Sequence, residues 1–183
     1  MGIESTIAHK YLDGLKGIEI GAGAHNPFGL DTINVDKGYT PLYKQHQIDM
    51  CGKFAKIDLF ANGDNIPVAN KSYDFVISSH VIEHFRNPIK TLHEWERIAS
   101  KYIFMVIPHK KRTVDKNRPL TDISEIISAY DSDFPNIEDK HHYTYTPENF
   151  IKLMDHLNYK YDIWDPDDKV GNGFMVLITL NEQ

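Results

Sequence analysis

Residues 17–23 read Gly-Ile-Glu-Ile-Gly-Ala-Gly, a short apolar strand that runs into a turn with two glycines one residue apart. Glycines at that spacing let the backbone turn sharply and let a ligand approach it closely. Alone, a G-x-G is equally readable as a tight turn. Its neighbours give it weight. A second strand follows at Thr32-Ile33-Asn34-Val35-Asp36, rich in β-branched residues and ended by a carboxylate. Ligands of open α/β sheets bind beyond the carboxyl ends of the strands, and a carboxylate at this position can accept both hydroxyls of a ribose.

Further along, Lys56 to Leu59 is a weaker third strand and Tyr73 to Ser79 a fourth. Tyr102 to Ile107, stopped by Pro108, is a fifth and almost wholly apolar, as strands covered on both faces are. Helices fall between them. Asn87-Pro88 is a cap with proline at the first helical position, and Ile89, Leu92, Trp95 and Ala99 recur at helical spacing. Asp122 and Glu125 form a capping pair ahead of a stripe of Ile123, Ile126, Ile127 and Tyr130. Thr146-Pro147 opens another helix, with Phe150, Leu153, Met154 and Leu157 on one face. Tyr159 to Trp164 and Phe174 to Leu180 close the chain as an antiparallel pair, with Gly171-Asn172-Gly173 in the connecting turn. This alternation predicts an α/β fold: a mostly parallel, Rossmann-like seven-stranded sheet with an antiparallel C-terminal hairpin strand. The segment from Gly23 to Thr32 is too short and broken for a full helix. Asn26-Pro27 stands where a dinucleotide fingerprint wants its third glycine, which argues against a pyrophosphate seated on a helix N-terminus.

Composition narrows the rest. A chain of 183 residues suits a single domain with its own core. The lone Cys51 excludes an intramolecular disulfide and a cysteine zinc cage. No run of about 18 apolar residues could span a membrane, and the N-terminus lacks the apolar stretch of an export signal. A cytoplasmic protein is expected. The net charge of −6 argues against a general nucleic-acid binder. Ten histidines are scattered along the chain.

The motifs taken together resemble the class I S-adenosylmethionine-dependent methyltransferases. They are Glu19-Ile20-Gly21-Ala22-Gly23, then Asp36, then Ile66-Pro67-Val68, then Ser72-Tyr73-Asp74-Phe75-Val76-Ile77-Ser78-Ser79-His80-Val81-Ile82-Glu83-His84. The closest likeness is to the subgroup with L-P-F and V-L-E-H signatures. Asn87-Pro88 and Leu92 to Ile98 continue it, and it covers roughly residues 15–110. The resemblance implies one methyltransferase domain over residues 1–183, with an N-terminal helix or arm at 1–14 and irregular substrate-side segments within 109–146. It implies S-adenosyl-L-methionine as cofactor. Glu19 would hold its amino-acid end, Gly21, Ala22 and Gly23 would let the backbone approach, and Asp36 would bind the ribose. Asp58 and the Leu59 amide would meet the adenine, with Asp64 as a competing assignment because of an insertion before Ile66. Ser79 and His80 would face the methionine part.

Methyl transfer often requires a proton to be removed from the acceptor, and a histidine of near-neutral pKa suits that role. His80, His84 and His109 follow strands four and five and are the candidate bases, although His84 serves equally well as a structural hydrogen-bonding residue. His141 and His142 are placed to overhang the mouth. A metal trio of Asp139, His141 and His142 is weak, because adjacent histidines in extended chain point opposite ways. Lys110, Lys111, Arg112, Lys116 and Arg118 form the dense basic stretch of an acidic chain. It is either a solvated loop or a cation cluster for an anionic acceptor. The expected reaction is O-methylation of a small molecule or sugar, and the apolar C-terminal strands leave a homodimer open. The competing readings are an NAD(P)-dependent oxidoreductase on a Rossmann sheet and a non-catalytic S-adenosylmethionine-binding regulator.

Overall fold

Apolar side chains alternate along the central strands, and that alternation decides how the sheet is covered. In the computed structural model, which describes residues 4–132 and 140–180, Val76, Ile103, Met105, Ile107, Phe174 and Val176 face one core. Their strand neighbours Phe75, Ile77, Phe104, Val106, Met175 and Leu177 face a second. A period of two places successive residues on opposite faces, so both faces must be covered.

The elements run α1 (Thr6–Leu12), β1 (Gly17–Ile20), β2 (Thr32–Asp36), α2 (Pro41–Cys51), β3 (Leu59–Phe60), β4 (Tyr73–Ser79) and α3 (Pro88–Ile98). They continue with β5 (Ala99–Pro108), α4 (Ile123–Ser128), α5 (Pro147–His156), β6 (Lys160–Trp164) and β7 (Gly173–Thr179). The strand order is β3-β2-β1-β4-β5-β7-β6. The first five strands pair in parallel, and β7 is antiparallel to both β5 and β6. This is the seven-stranded α/β sheet that the strand and helix spacing predicts.

One core is closed by α3 and α5 through Leu92, Trp95, Phe150 and Leu153. The other is closed by Ala8 and Leu12 of α1 and by Phe28. The stop and start signals act where the sequence puts them. Asn87 caps α3 by accepting from Lys90 N, and Asp122 with Glu125 forms a capping box on α4.

Four details differ from the sequence expectation. The third strand is Leu59–Phe60, because Asp58 is tied to Asn34: its amide donates to the Asn34 carbonyl and its carboxylate accepts from the Asn34 amide. Helix α2 buries only Gln47, so it shows no apolar stripe; Thr40 capping it and Pro41 in its first turn were its legible signals. The fifth strand begins at Ala99, directly after α3. The apolar closing strand β7 lies inside the sheet, between β5 and β6, and β6 forms the edge.

Candidate functional site

A cleft of about 800 Å³ opens at the carboxyl ends of β1, β2 and β4. That volume is in the range of small-molecule sites. The strand ends bring Glu19, Gly21, Gly23, Asp36, Ser79, His80 and His84 to its walls, together with Asn62, Gly63, Asp64 and Lys169.

At the β1 side, Gly21 turns the chain at φ +68°, a conformation L side chains rarely adopt. The turn is pinned from behind. Asn34 Oδ1 accepts from the Ala22 amide at 3.1 Å, and Tyr39 donates to the Ala22 carbonyl at 2.9 Å. The Gln47 side-chain carbonyl accepts from the Ala24 amide at 2.8 Å. Buried polar groups of α2 and β2 therefore fix the glycine turn, which leaves its far side open to the cleft. Glu19 lies under this turn. Burial pushes its carboxyl up to about 7, against the charge of Lys169 and a hydrogen bond from Thr32. Lys169 comes from the β6–β7 connection, where Asp167 accepts from the Lys169, Val170 and Gly173 amides. Its ammonium donates to the Asn26 and Pro27 carbonyls and lies 3.9 Å from the centre of the Phe28 ring. Burial pushes Lys169 down to about 8, opposed by Glu19 and two aspartates. No sequence signal marks Lys169; only the fold brings it to Glu19.

Asp36 ends β2 at the cleft wall and accepts from the Gly38 amide at 2.7 Å. Opposite it, the turn Asn62–Asp64 is held by α3. Trp95 Nε1 donates to the Gly63 carbonyl at 2.7 Å. A Cβ at Gly63 would sit 2.8 Å from the Phe85 ring, so the turn packs tightly there. Farther along α3, Glu94 accepts from the Ile66 amide, and Arg97 donates to the Ile66 and Val68 carbonyls. The Glu94-x-x-Arg97 spacing thus serves as a clamp on the segment following the cleft turn.

The β4 end carries the histidines. His80 sits at φ +56° and donates its amide to Val106 O. Burial pushes its imidazole below the ordinary histidine range, with Asp167 acting against that and His141 adding to it. Next comes a turn, Ile82–His84, whose Glu83 is fully buried. Among the described residues, neither Glu83 carboxylate oxygen has a hydrogen-bond partner on another residue. Burial pushes this carboxyl up to about 8, and the Asp115 charge adds to the effect. His84 Nε2 and His141 Nε2 each stand 3.8 Å from Glu83 Oε1. His141 Nδ1 is 2.6 Å from Asp115 Oδ2, and Asp115 also accepts from Arg118. His84 lines both the cleft and a shallower pocket lined by Val114, Asp115, Arg118, Lys140, His141 and His142.

Other expected residues lie elsewhere. Asp58 and Leu59 do not line the cleft. Asp58 is bound to Asn34 and Lys56 behind the strand end, and Leu59 packs on the core. The register Leu59↔Val35 and Phe60↔Asp36 puts the carboxyl end of β3 beyond them, and of Asp58 and Asp64 it is Asp64 that lines the cleft. Ala22 is turned into the Asn34–Tyr39 network. His109 is outside the cleft, accepting from the Lys111 amide and packing on Phe174. In the basic stretch, Arg112 pairs with Asp165 and Arg118 with Asp115. Tyr145 is core, and Tyr143 donates to the Arg86 carbonyl. Asp139 of the weak metal trio lies outside the described residues.

Residues 9–162 match the family model for a methyltransferase domain. No curated protein matches the chain by sequence. Among solved structures, the chain is similar to a SAM-dependent methyltransferase from Thermotoga maritima described as a possible histamine N-methyltransferase. The TM-score is 0.61 at 15% identity, over 95% of this chain and 86% of that one. A SAM-dependent methyltransferase from Methanosarcina mazei is similar over 100% of both chains, at 14% identity and a TM-score of 0.57. One from Aquifex aeolicus is similar over 92% of this chain and 84% of its own, at 16% identity and a TM-score of 0.54.

Proposed function

This chain belongs to the methyltransferase-domain family, whose cofactor is S-adenosylmethionine, and from that premise we propose that it methylates a hydroxyl of a small molecule or sugar. The observation that carries the reading is the cleft that joins a glycine turn, the carboxylates of Glu19, Asp36 and Asp64, and the half-buried His80. Its residues fit the cofactor. A Cβ at Gly23 would meet His25 at 2.8 Å, so this part of the cradle admits backbone and ligand but no further side chain.

Glu19 holds the amino group of the cofactor, and Lys169 beside it balances the charge. Asp36 accepts from the ribose hydroxyls, a charge-assisted pair that fixes the register of the ligand along the cleft. The Asn62–Asp64 turn, held by Trp95, flanks the adenine end. Ser79 and His80 border the methionine end. When bound, the cofactor supplies an electrophilic methyl group on a sulfonium and leaves as a neutral thioether. The protein has to align the acceptor and take its proton. Among the three candidate bases, His80 is the one assigned here. It lines the cleft, and burial, which lowers its pKa, favours the uncharged imidazole that can accept a proton from the acceptor hydroxyl. His109 is set aside because its ring contacts Phe174 outside the cleft.

Two measurements test the reading. Calorimetry with S-adenosylhomocysteine, with NAD as the control, is expected to show binding of the former alone. Transfer of labelled methyl to a panel of sugars and small hydroxyl compounds, some bearing phosphate or carboxylate, is expected to label oxygen, with single-turnover rates falling in His80→Gln. Label found only on nitrogen or carbon acceptors would overturn the O-methylation assignment.

A further inference from the structure

Glu83 lies in the turn that follows β4. Its carboxyl is fully buried, and among the described residues neither oxygen has a hydrogen-bond partner on another residue. Buried polar groups without partners are rare, and an ion is among the recognised reasons for one. The surroundings supply the rest of a metal site. Glu83, His84 and His141 each offer one ligand atom, and these atoms lie within 4.8 Å of one another. The two imidazole rings stand at 90° with centroids 4.8 Å apart.

We propose that Glu83, His84 and His141 bind a divalent transition-metal ion, zinc being the closest match, beside the acceptor end of the cleft. Two imidazoles and one carboxylate form a three-ligand set that leaves a coordination position open for water or an acceptor oxygen. A tetrahedral ion with bonds of about 2.1 Å holds its ligands roughly 3.4 Å apart. The Glu83 oxygen stands 3.8 Å from each imidazole nitrogen, so modest side-chain rotation closes the set.

The surrounding contacts support the same assignment. A metal-bound histidine ordinarily gives its other ring nitrogen to a carboxylate, which fixes tautomer and orientation. His141 Nδ1 has that partner in Asp115 at 2.6 Å, and Arg118 holds Asp115 in turn. His142 donates its backbone amide to the Glu83 carbonyl at 2.7 Å, which ties the segment carrying His141 to the turn carrying the other two ligands. The bridge from His84 to the cleft gives the ion its place in the reaction, and this part of the proposal rests on the methyltransferase reading.

The test is calorimetric titration of zinc into the chelator-stripped full chain, repeated with manganese and magnesium. The expected result is one zinc per chain, with affinity lowered about 100-fold or more in Glu83→Gln and in His141→Ala. In Asp115→Asn, which removes only the carboxylate behind His141, the loss should be about 10–100-fold. Cobalt(II) replaces zinc for a spectroscopic check: low-coordinate d–d bands are expected in the wild type and should disappear in His84→Ala. Absence of zinc binding overturns the site, as does an affinity that is the same in wild type, Glu83→Gln and His141→Ala. Binding of S-adenosylhomocysteine, measured in the same samples, reports on the methyltransferase reading alone. Zinc bound without the nucleoside would overturn that reading and leave the metal site standing.

Discussion

Glu19 in β1 and Glu83 just after the neighbouring strand β4 are two desolvated carboxyls, and their surroundings differ in kind. Glu19 has a hydroxyl donor in Thr32 and a cation in Lys169, and burial still lifts it to about 7. Glu83 has no hydrogen-bond partner on another described residue, faces the like charge of Asp115, and is lifted to about 8. A carboxyl next to a fixed cation is ready to receive a ligand's ammonium group, with Lys169 left to balance the pair. A carboxyl with two imidazole nitrogens 3.8 Å away suits the metal cation proposed for it. The difference separates the half of the cleft proposed for the cofactor from the half proposed for the acceptor.

The sharpest way to break this comparison is the pH dependence of folding. Glu83 ionises near 4.5 when unfolded and about 8 when folded, so across that window the unfolded chain is the one that has released its proton. Stability contributed by the protonated group is therefore whole below about pH 4.5 and is lost as pH rises through about 8. Glu83→Gln is expected to remove that slope and to gain on the order of a few kcal/mol relative to wild type at alkaline pH. Thermal unfolding of the metal-free proteins from about pH 5 to pH 9 measures it. Parallel curves for the two proteins would show that Glu83 is not isolated as described. Added zinc should raise the wild-type midpoint at pH 8 and leave the Glu83→Gln midpoint unmoved.

On the cofactor side, Asp36→Ala is expected to weaken S-adenosylhomocysteine binding at least about ten-fold, through loss of a charge-assisted hydrogen-bond pair. Unchanged affinity by calorimetry would remove the ribose assignment. Glu19 gives a smaller, pH-dependent effect. Its ionised form holds an ammonium group, so affinity should rise about several-fold as pH passes through 7 and stay flat in Glu19→Gln. The least effect is expected at Asp58. Asp58→Ala should change affinity by less than about two-fold, because its carboxylate faces Asn34 and Lys56, whereas Asp64→Ala should weaken it measurably.

Much of the cofactor half was legible in the chain, because its parts are local. A strand ending in Gly21-Ala22-Gly23 and a strand ending in Asp36 each write their own geometry into consecutive residues. The misplacement of Asp58 has a definite cause. A two-residue strand gives no periodicity to read, and its register was decided by pairing with β2. Helix α2 was missed for the opposite reason, since a helix with one buried residue carries no stripe. On the acceptor side, the sequence offered Glu83-His84 as a signature and His141-His142 as a loop pair without connecting them.

Period-two strands, helix caps and proline stops determined the α/β class and the seven strands, because hydrophobic periodicity and backbone conformation act over neighbouring residues. Tertiary structure alone decided that β7 inserts between β5 and β6, that Lys169 meets Glu19, and that His141 arrives beside Glu83 with Asp115 behind it. Those contacts join residues far apart in the chain. What selects them is burial: a charge taken out of water must find its counterpart wherever the folded chain brings one.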